Sequence, residues 1–306
     1  MRVLIVGYGV QGRKRMQVAG RDVVGIVDPY TEDASWRRLS AVPLERYDAA
    51  IVCTPDDVKL DLLRHLAEHG KHALVEKPLL AGNETELLEL EEAARRTGAF
   101  LYTAYNHRFE PHFLRMRELV RSGVLGRLYC CRMFYGNGTA RLVRQSDWRD
   151  RGGGVLPDLG SHLLDTVRWW FGNVAEDWRI VSASAFETRA PDHVVVASSA
   201  SRPKLELEMT LLSWRNHFTC DLFAEHGSAH IRSLCKWGPT TFTHRVRVLP
   251  SGRPLEESST LVRDDPTWAA EYAHFSRLAE EGTPTDLAND RWLSRELRRL
   301  SAEARP

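Results

Sequence analysis

The short apolar run "VLIV" (3–6) opens into glycine at 7, 9 and 12, and a helical pattern follows at once. Few folds tolerate that order. The first glycine permits a tight turn out of a strand, and the second lets a backbone approach a pyrophosphate. The third lets helix and strand pack closely. Helix N–H groups and the positive end of the helix dipole then face the phosphates. Gly7, Gly9, Val10, Gln11 and Gly12 are therefore the expected phosphate cradle. Glycine patterns also arise by chance, so the next strand supplies a second test. "DVVGIVD" (22–28) ends on Asp28, 21 residues after Gly7. A carboxylate there takes the adenosine ribose hydroxyls and repels a 2′-phosphate. NAD is the expected cofactor, and Arg13 and Lys14 leave NADP open.

The remainder of residues 1–120 keeps the same rhythm. "AAIVCTP" (49–55), "HALVEKP" (72–78) and "AFLYTAYN" (99–106) read as strands. "DDVKLDLLRHLAEHG" and "NETELLELEEAARRTG" read as helices, with Asn83 as N-cap and Gly70 and Gly98 past the C-termini. Strand–helix alternation predicts a parallel sheet covered on both faces. A third strand, "SAVP" (40–43), is vestigial at best. After residue 120 the pattern becomes alternating strands with short turns, "RPK" and "EHGS" among them, which predicts a large, mostly antiparallel sheet. One helix, "LPDLGSHLLDTVRWWFG" (156–172), interrupts it. "LPSGRPLEESST" (249–260) reads as an exposed loop, and two helices close the chain. The division expected is 1–120 and 121–306.

The chain carries 42 Lys and Arg against 41 Asp and Glu, a balance that points to neither nucleic acid nor a membrane surface. Five cysteines without metal-ligand spacing suggest no metal and a reducing, cytoplasmic setting. No apolar run approaches the roughly 20 residues of a membrane span, and the first residues lack the pattern of a signal peptide. Apolar strands in the second half, with Trp214 and Phe218 beside a turn, predict a sheet-mediated homodimer or homotetramer.

Two pieces offer chemistry. Lys77 stands at the C-terminal end of a parallel strand, the edge where open α/β sheets bind ligands. Asp158 and His162 are four apart, and His162 and Asp165 three apart, on one predicted helix. An imidazole held by a carboxylate suits a general base near neutral pH. A surface lysine and a satisfied, part-buried histidine are the plainer readings of each piece alone.

Together, "GYGVQG" (7–12), "CTPDD" (53–57), "GKHALVEKPL" (70–79), "YNHRFEP" (105–111) and "GGGVLPDLGSHLLDTVRWWFG" (152–172) resemble the Gfo/Idh/MocA family of oxidoreductases, in the family's order. The resemblance implies a Rossmann domain followed by an α/β domain with a large, mostly antiparallel sheet. It places Lys77 at the reacting centre, and Asp158 and His162 at the substrate, with His162 as acid/base. It sets Cys53, Thr54, Pro55 and Glu76 beside the cofactor, and Tyr105 and Asn106 in the same cleft. The implied reaction moves a hydride between a secondary hydroxyl of a sugar, cyclitol or nucleotide sugar and the nicotinamide, with Lys77 stabilising the alkoxide. The loop 136–154, with Arg144 and Trp148, is assigned to substrate; its arginines suit an anionic sugar. Lys59 stands where many relatives carry His, a change expected to alter cofactor-side packing. Related readings are a C=N or C=C reductase, a non-catalytic NAD-binding regulator and an NAD-dependent glycosidase.

Overall fold

A computed structural model describes residues 1–147, 149–172 and 177–304. In chain order the first elements are β1 (Val3–Val6), α1 (Val10–Ala19), β2 (Val23–Val27), β3 (Ala49–Val52), α2 (Asp56–Glu68), β4 (His72–Glu76), α3 (Glu84–Thr97) and β5 (Leu101–Ala104). Then come α4 (Pro111–Arg121), β6 (Leu128–Gly136), α5 (Ala140–Arg144), α6 (Ser161–Phe171), β7 (Arg179–Ser184), β8 (His193–Ser198), β9 (Lys204–Thr210), β10 (His217–Ala224) and β11 (Gly227–Arg232). The last are β12 (Thr240–Val246), β13 (Leu255–Leu261), α7 (Thr267–Glu280) and α8 (Ala288–Glu303). The chain divides into two compact units, Met1–Asn106 with Thr267–Arg295, and His107–Pro266 with Glu296–Pro306.

This division departs from a single cut at residue 120. The reason is visible in β1, whose side chains alternate between two apolar layers. Leu4 and Val6 join Val52, Leu63, Leu66, Leu87 and Leu90 on the face covered by α2 and α3. Val3 and Ile5 join Ile51, Leu74, Tyr272, Phe275 and Ala279 on the other. A parallel sheet must be covered on both faces, and α7, from far down the chain, supplies part of the second cover. The α3 caps match the sequence: Asn83 accepts from the Glu86 N–H at 3.1 Å, and Gly98 takes φ +77°.

The five strands are all parallel, in the order β2-β1-β3-β4-β5. The segment read as a vestigial third strand forms no strand: residues 39–41 form a 3₁₀ turn, and the preceding residues meet β2 through a single bridge between Val27 and Trp36. The Trp36 ring lies over Gly25, where an added Cβ would come within 2.3 Å of it. Trp36 thus covers the β2 edge, a capping device for an otherwise open ladder.

The second unit is built on eight strands in the order β13-β12-β11-β10-β6-β9-β8-β7. Neighbours are antiparallel except β6 and β9. Leu205, Leu207 and Met209 of β9 face the core with Phe218, Cys220 and Leu222 of β10. Phe218 is therefore core, whereas Trp214 is exposed. The segment 249–260 is not a loop throughout, because β13 pairs along its length with β12. Its signal is weak for a physical reason. An edge strand exposed on both faces has no apolar alternation, and cross-strand Thr241–Thr260 and Arg245–Glu256 contacts take its place. Helix α6 is likewise not regular from residue 156: Leu156–Gly160 form a π turn. Gly160 seats that turn on the sheet, its absent Cβ falling 2.8 Å from Met209 Sδ. Trp170 Nε1 donates to the Phe113 carbonyl at 3.0 Å, tying α6 to α4. Among the described residues no helix is long and apolar enough to cross a membrane.

Candidate functional site

Parallel register gathers the predicted cofactor residues of the first unit. Val6 is level with Val27 and Val52, Val52 with Val75, and Glu76 with Ala104. The turns after these strands therefore leave one sheet edge together, carrying Gly7, Asp28, Cys53 to Pro55, Lys77 and Tyr105. The three glycines then separate by role. Gly7 has φ +89°, and a Cβ there would lie 2.8 Å from the Cys53 carbonyl oxygen. A Cβ on Gly12 would lie 2.0 Å from the Gly7 carbonyl oxygen. A Cβ on Gly9 would meet nothing within 4 Å. Two glycines thus fit the protein to itself, and the third faces open space at the start of a ten-residue helix without a side-chain cap. Val10 and Gln11, both exposed, begin that helix.

Asp28 fixes the neighbouring turn. Its Oδ2 accepts from the Tyr8 N–H at 2.8 Å, and its Oδ1 from those of Tyr30 and Thr31 at 2.8 and 3.0 Å. Burial pushes the carboxyl pKa up, but these three N–H groups and the Arg37 charge outweigh it and leave the pKa below its usual value. The group is an anion at neutral pH. Thr54 Oγ1 is buried and finds no partner among the described residues. An uncovered helix start, an anionic carboxylate at the second strand and an orphaned hydroxyl at the third fit the phosphates and ribose of a dinucleotide. Of the three early cations, Lys14 and Arg15 lie over the Trp268 ring, and Arg13 lies over Tyr8.

The Glu76-Lys77-Pro78 corner is held from inside. Arg15, 1 % exposed, donates to Glu76 Oε1 at 2.6 Å and to Glu271 Oε2 at 2.7 Å. Lys59, 2 % exposed, donates to Asp56 Oδ1, the Glu76 carbonyl and the Pro78 carbonyl at 2.6, 2.8 and 3.1 Å. Lys77 itself is half-buried, and the Lys77–Pro78 bond is cis. Tyr105 and Asn106 are buried, and they spend polar groups within the unit. Tyr105 Oη donates to Asp290 at 3.1 Å, and Asn106 Nδ2 to Thr267 at 2.9 Å. Both residues serve at least to join the end of β5 to the segment that begins with α7.

In the second unit His162 is buried on α6, and its ring stacks on that of His107, 3.9 Å between centroids and 16° apart. The Tyr135 ring packs 5.9 Å from His162 and 5.4 Å from His107. Lys236 Nζ lies 3.4 Å from Tyr135 Oη and 4.7 Å from the Trp237 ring centre. Burial lowers the Lys236 pKa, against the opposing charges of Asp265, Glu110 and Asp158. Both carboxylates offered to His162 by spacing hold arginines. Asp165 takes the guanidinium of Arg108, and Asp158 that of Arg149 at 3.2 Å. Asp158 lies in the π turn that precedes α6. Arg144 is exposed and donates to the Glu187 carbonyl at 2.8 Å. Trp148 lies outside the described residues.

Sequence reasoning missed His107, Tyr135 and Lys236, and gave Arg15 and Lys59 no part in holding the Glu76–Pro78 corner. Tyr135 shares strand parity with buried Cys131 and Met133, which marks it as inward. His107 lies within the quoted motif "YNHRFEP". Nothing local distinguishes Lys236 from a surface lysine.

Residues 1–105 match the family description "Oxidoreductase family, NAD-binding Rossmann fold", and residues 113–230 match "GFO/IDH/MocA C-terminal domain". Rhizopine catabolism protein MocA of Rhizobium meliloti is 26 % identical over 198 residues, 60 % of this chain and 61 % of that protein. Inositol 2-dehydrogenase of Rhizobium meliloti (strain 1021) is 31 % identical over 125 residues, 41 % of this chain and 37 % of that one. The alignments thus span between about two fifths and three fifths of these relatives. A solved levoglucosan dehydrogenase in complex with NADH shares the fold, with TM-score 0.84 over 99 % of this chain and 96 % of that one at 16 % identity.

Proposed function

The chain belongs to the Gfo/Idh/MocA family of oxidoreductases, and from that premise we propose that it is an NAD-dependent dehydrogenase of polyols. The substrate class is a sugar, cyclitol or nucleotide sugar bearing a secondary hydroxyl. One observation carries the reading: the shared sheet edge that presents a bare Gly9, an anionic Asp28, an orphaned Thr54 hydroxyl and Lys77. Relatives support the substrate class, since one is an inositol 2-dehydrogenase and one fold neighbour a levoglucosan dehydrogenase.

NAD supplies the hydride acceptor when bound; the chain supplies position and proton handling. Gly9 and the α1 N-terminus take the pyrophosphate, and Asp28 takes the adenosine ribose. Thr54 gains the partner it lacks, with Cys53 and Pro55 flanking it. Lys77 donates to the reacting oxygen and stabilises its developing negative charge. His162 removes the hydroxyl proton, and a buried imidazole stacked on a second ring is held in one orientation for that task. Asp158, paired with Arg149, orients substrate hydroxyls, and Arg144 and Trp148 are assigned to substrate as well. Asp28 favours NAD over NADP. A sheet-mediated homodimer or homotetramer belongs to this reading, supported by the exposed Phe223 on β10.

The test is a panel of sugars, cyclitols and nucleotide sugars with NAD or NADP, followed at 340 nm and assayed for glycoside cleavage. Polyol-dependent NADH formation that falls about 10²- to 10⁴-fold in His162→Ala, with NAD binding retained, is the expected result. Tight NAD binding with no turnover across the panel, or glycoside loss without net NADH, overturns it.

A further inference from the structure

The buried ammonium of Lys59 has no place in the chemistry above, yet it is spent wholly on the corner that carries Lys77. An ammonium at 2 % exposure is costly unless its donors are met. Here three acceptors surround it, at 2.6, 2.8 and 3.1 Å. One is Asp56 in the first turn of α2, three residues earlier, which anchors the ammonium to the helix. The other two are the carbonyls of Glu76 and Pro78, the residues on either side of Lys77. Glu76 is the last residue of β4, so the chain is leaving the sheet where Lys59 takes hold of it. Arg15 meanwhile fixes the Glu76 carboxylate. The backbone on both sides of Lys77 is thereby pinned to α2 and α1.

We infer that Lys59 is a positioning residue: it sets the direction from which the Lys77 ammonium reaches the substrate oxygen. The inference rests on the reading of Lys77 as the group that stabilises the alkoxide. An error of about 1 Å in such a group costs on the order of 10²-fold in rate. Lys59→Met removes the donors and keeps the length of the side chain. Asp56→Asn loosens the anchor at a part-exposed position without opening the core.

The experiment has two readouts. With NAD and the polyol giving the fastest 340 nm rate, Lys59→Met should lose about 10- to 100-fold in kcat, with KM for NAD within about threefold. Asp56→Asn should lose a few-fold. Neither should lose anything further in a Lys77→Met background, because residues acting through one group are not additive. Full turnover in Lys59→Met beside a disabled Lys77→Met overturns the inference and leaves the Lys77 reading standing. Full turnover in Lys77→Met overturns that reading itself. The second readout needs no substrate. Reductive ¹³C-methylation gives Lys77 an NMR signal, assigned by its loss in Lys77→Met. Asp56→Asn and Lys59→Met should move its chemical shift toward that of exposed lysines. An unmoved signal in folded, NAD-binding variants overturns the inference whatever the turnover.

Discussion

Replacing Gly9 and Gly12 separately by alanine asks whether the opening turn is built for a ligand or only for itself. At Gly12 the new methyl would sit 2.0 Å from the Gly7 carbonyl oxygen and 3.3 Å from Ile5 Cγ2. Ordinary carbon–oxygen contact begins above 3 Å, so α1 must part from β1 by more than about 1 Å. Such overpacking costs ~1–3 kcal/mol, and in a chain of this size each kcal/mol lowers Tm by roughly 2–4 °C. At Gly9 the methyl meets nothing within 4 Å, and φ is −75°, which any L-residue adopts. Its folding cost is therefore that of an alanine N-cap, at most about 1 kcal/mol. If a pyrophosphate approaches there, however, the methyl stands in its path, and a tenfold weaker Kd corresponds to about 1.4 kcal/mol. Thermal melts of the unliganded variants and calorimetric titration with NAD separate the two effects. Gly12→Ala should melt several degrees lower. Gly9→Ala should melt near wild type yet bind NAD at least tenfold more weakly. Wild-type affinity in Gly9→Ala refutes the cradle, and a wild-type melt in Gly12→Ala refutes the packing argument.

Thr54→Val should leave the unliganded protein as stable as before or up to about 1 kcal/mol more so, since it removes a buried unpartnered hydroxyl; calorimetry should show weaker NAD binding. Asp28→Asn should shift the NAD/NADP ratio of kcat/KM toward NADP, measured at 340 nm. The Asp48 carboxyl is held at about 2, by hydrogen bonding to Arg2 against a smaller opposing effect of burial. A depressed carboxyl contributes stability above its unfolded pKa near 4, and that stability is lost as pH falls toward 2. Asp48→Asn should therefore flatten the acid limb of Tm between about pH 4 and 2. Its cost at pH 7 should stay under ~1 kcal/mol, because the pair is exposed. Gly25→Ala should displace the Trp36 ring and destabilise by ~1–3 kcal/mol, read by denaturant titration.

The parallel sheet was legible because its signals are local: β1, the turn at 7–12, Asn83 and Gly98 each announce themselves within a few residues. Strand β13 was not, since both its faces are wet and its partner lies across a hairpin. The same contrast divides the candidate site. Gly7, Gly9, Gly12 and Asp28 obey a fixed spacing tied to one turn and one strand. The inward turn of Lys59 and Arg15 depends on acceptors 17 to 256 residues away, which no short pattern encodes. The helix before His162 shows a third kind of difference, a π turn at Leu156–Gly160 where the leucine spacing suggested a continuous α-helix.

The cover that α7 gives the first sheet bears on how the chain is made. Until residues 267–280 leave the ribosome, Val3, Ile5, Ile51 and Leu74 wait on an apolar face that α1 covers only in part, although every strand of their sheet was synthesised long before. Nascent chains halted short of that helix should recruit chaperones and yield to protease. A truncation ending at residue 106 should be insoluble unless the α7 peptide is supplied in trans.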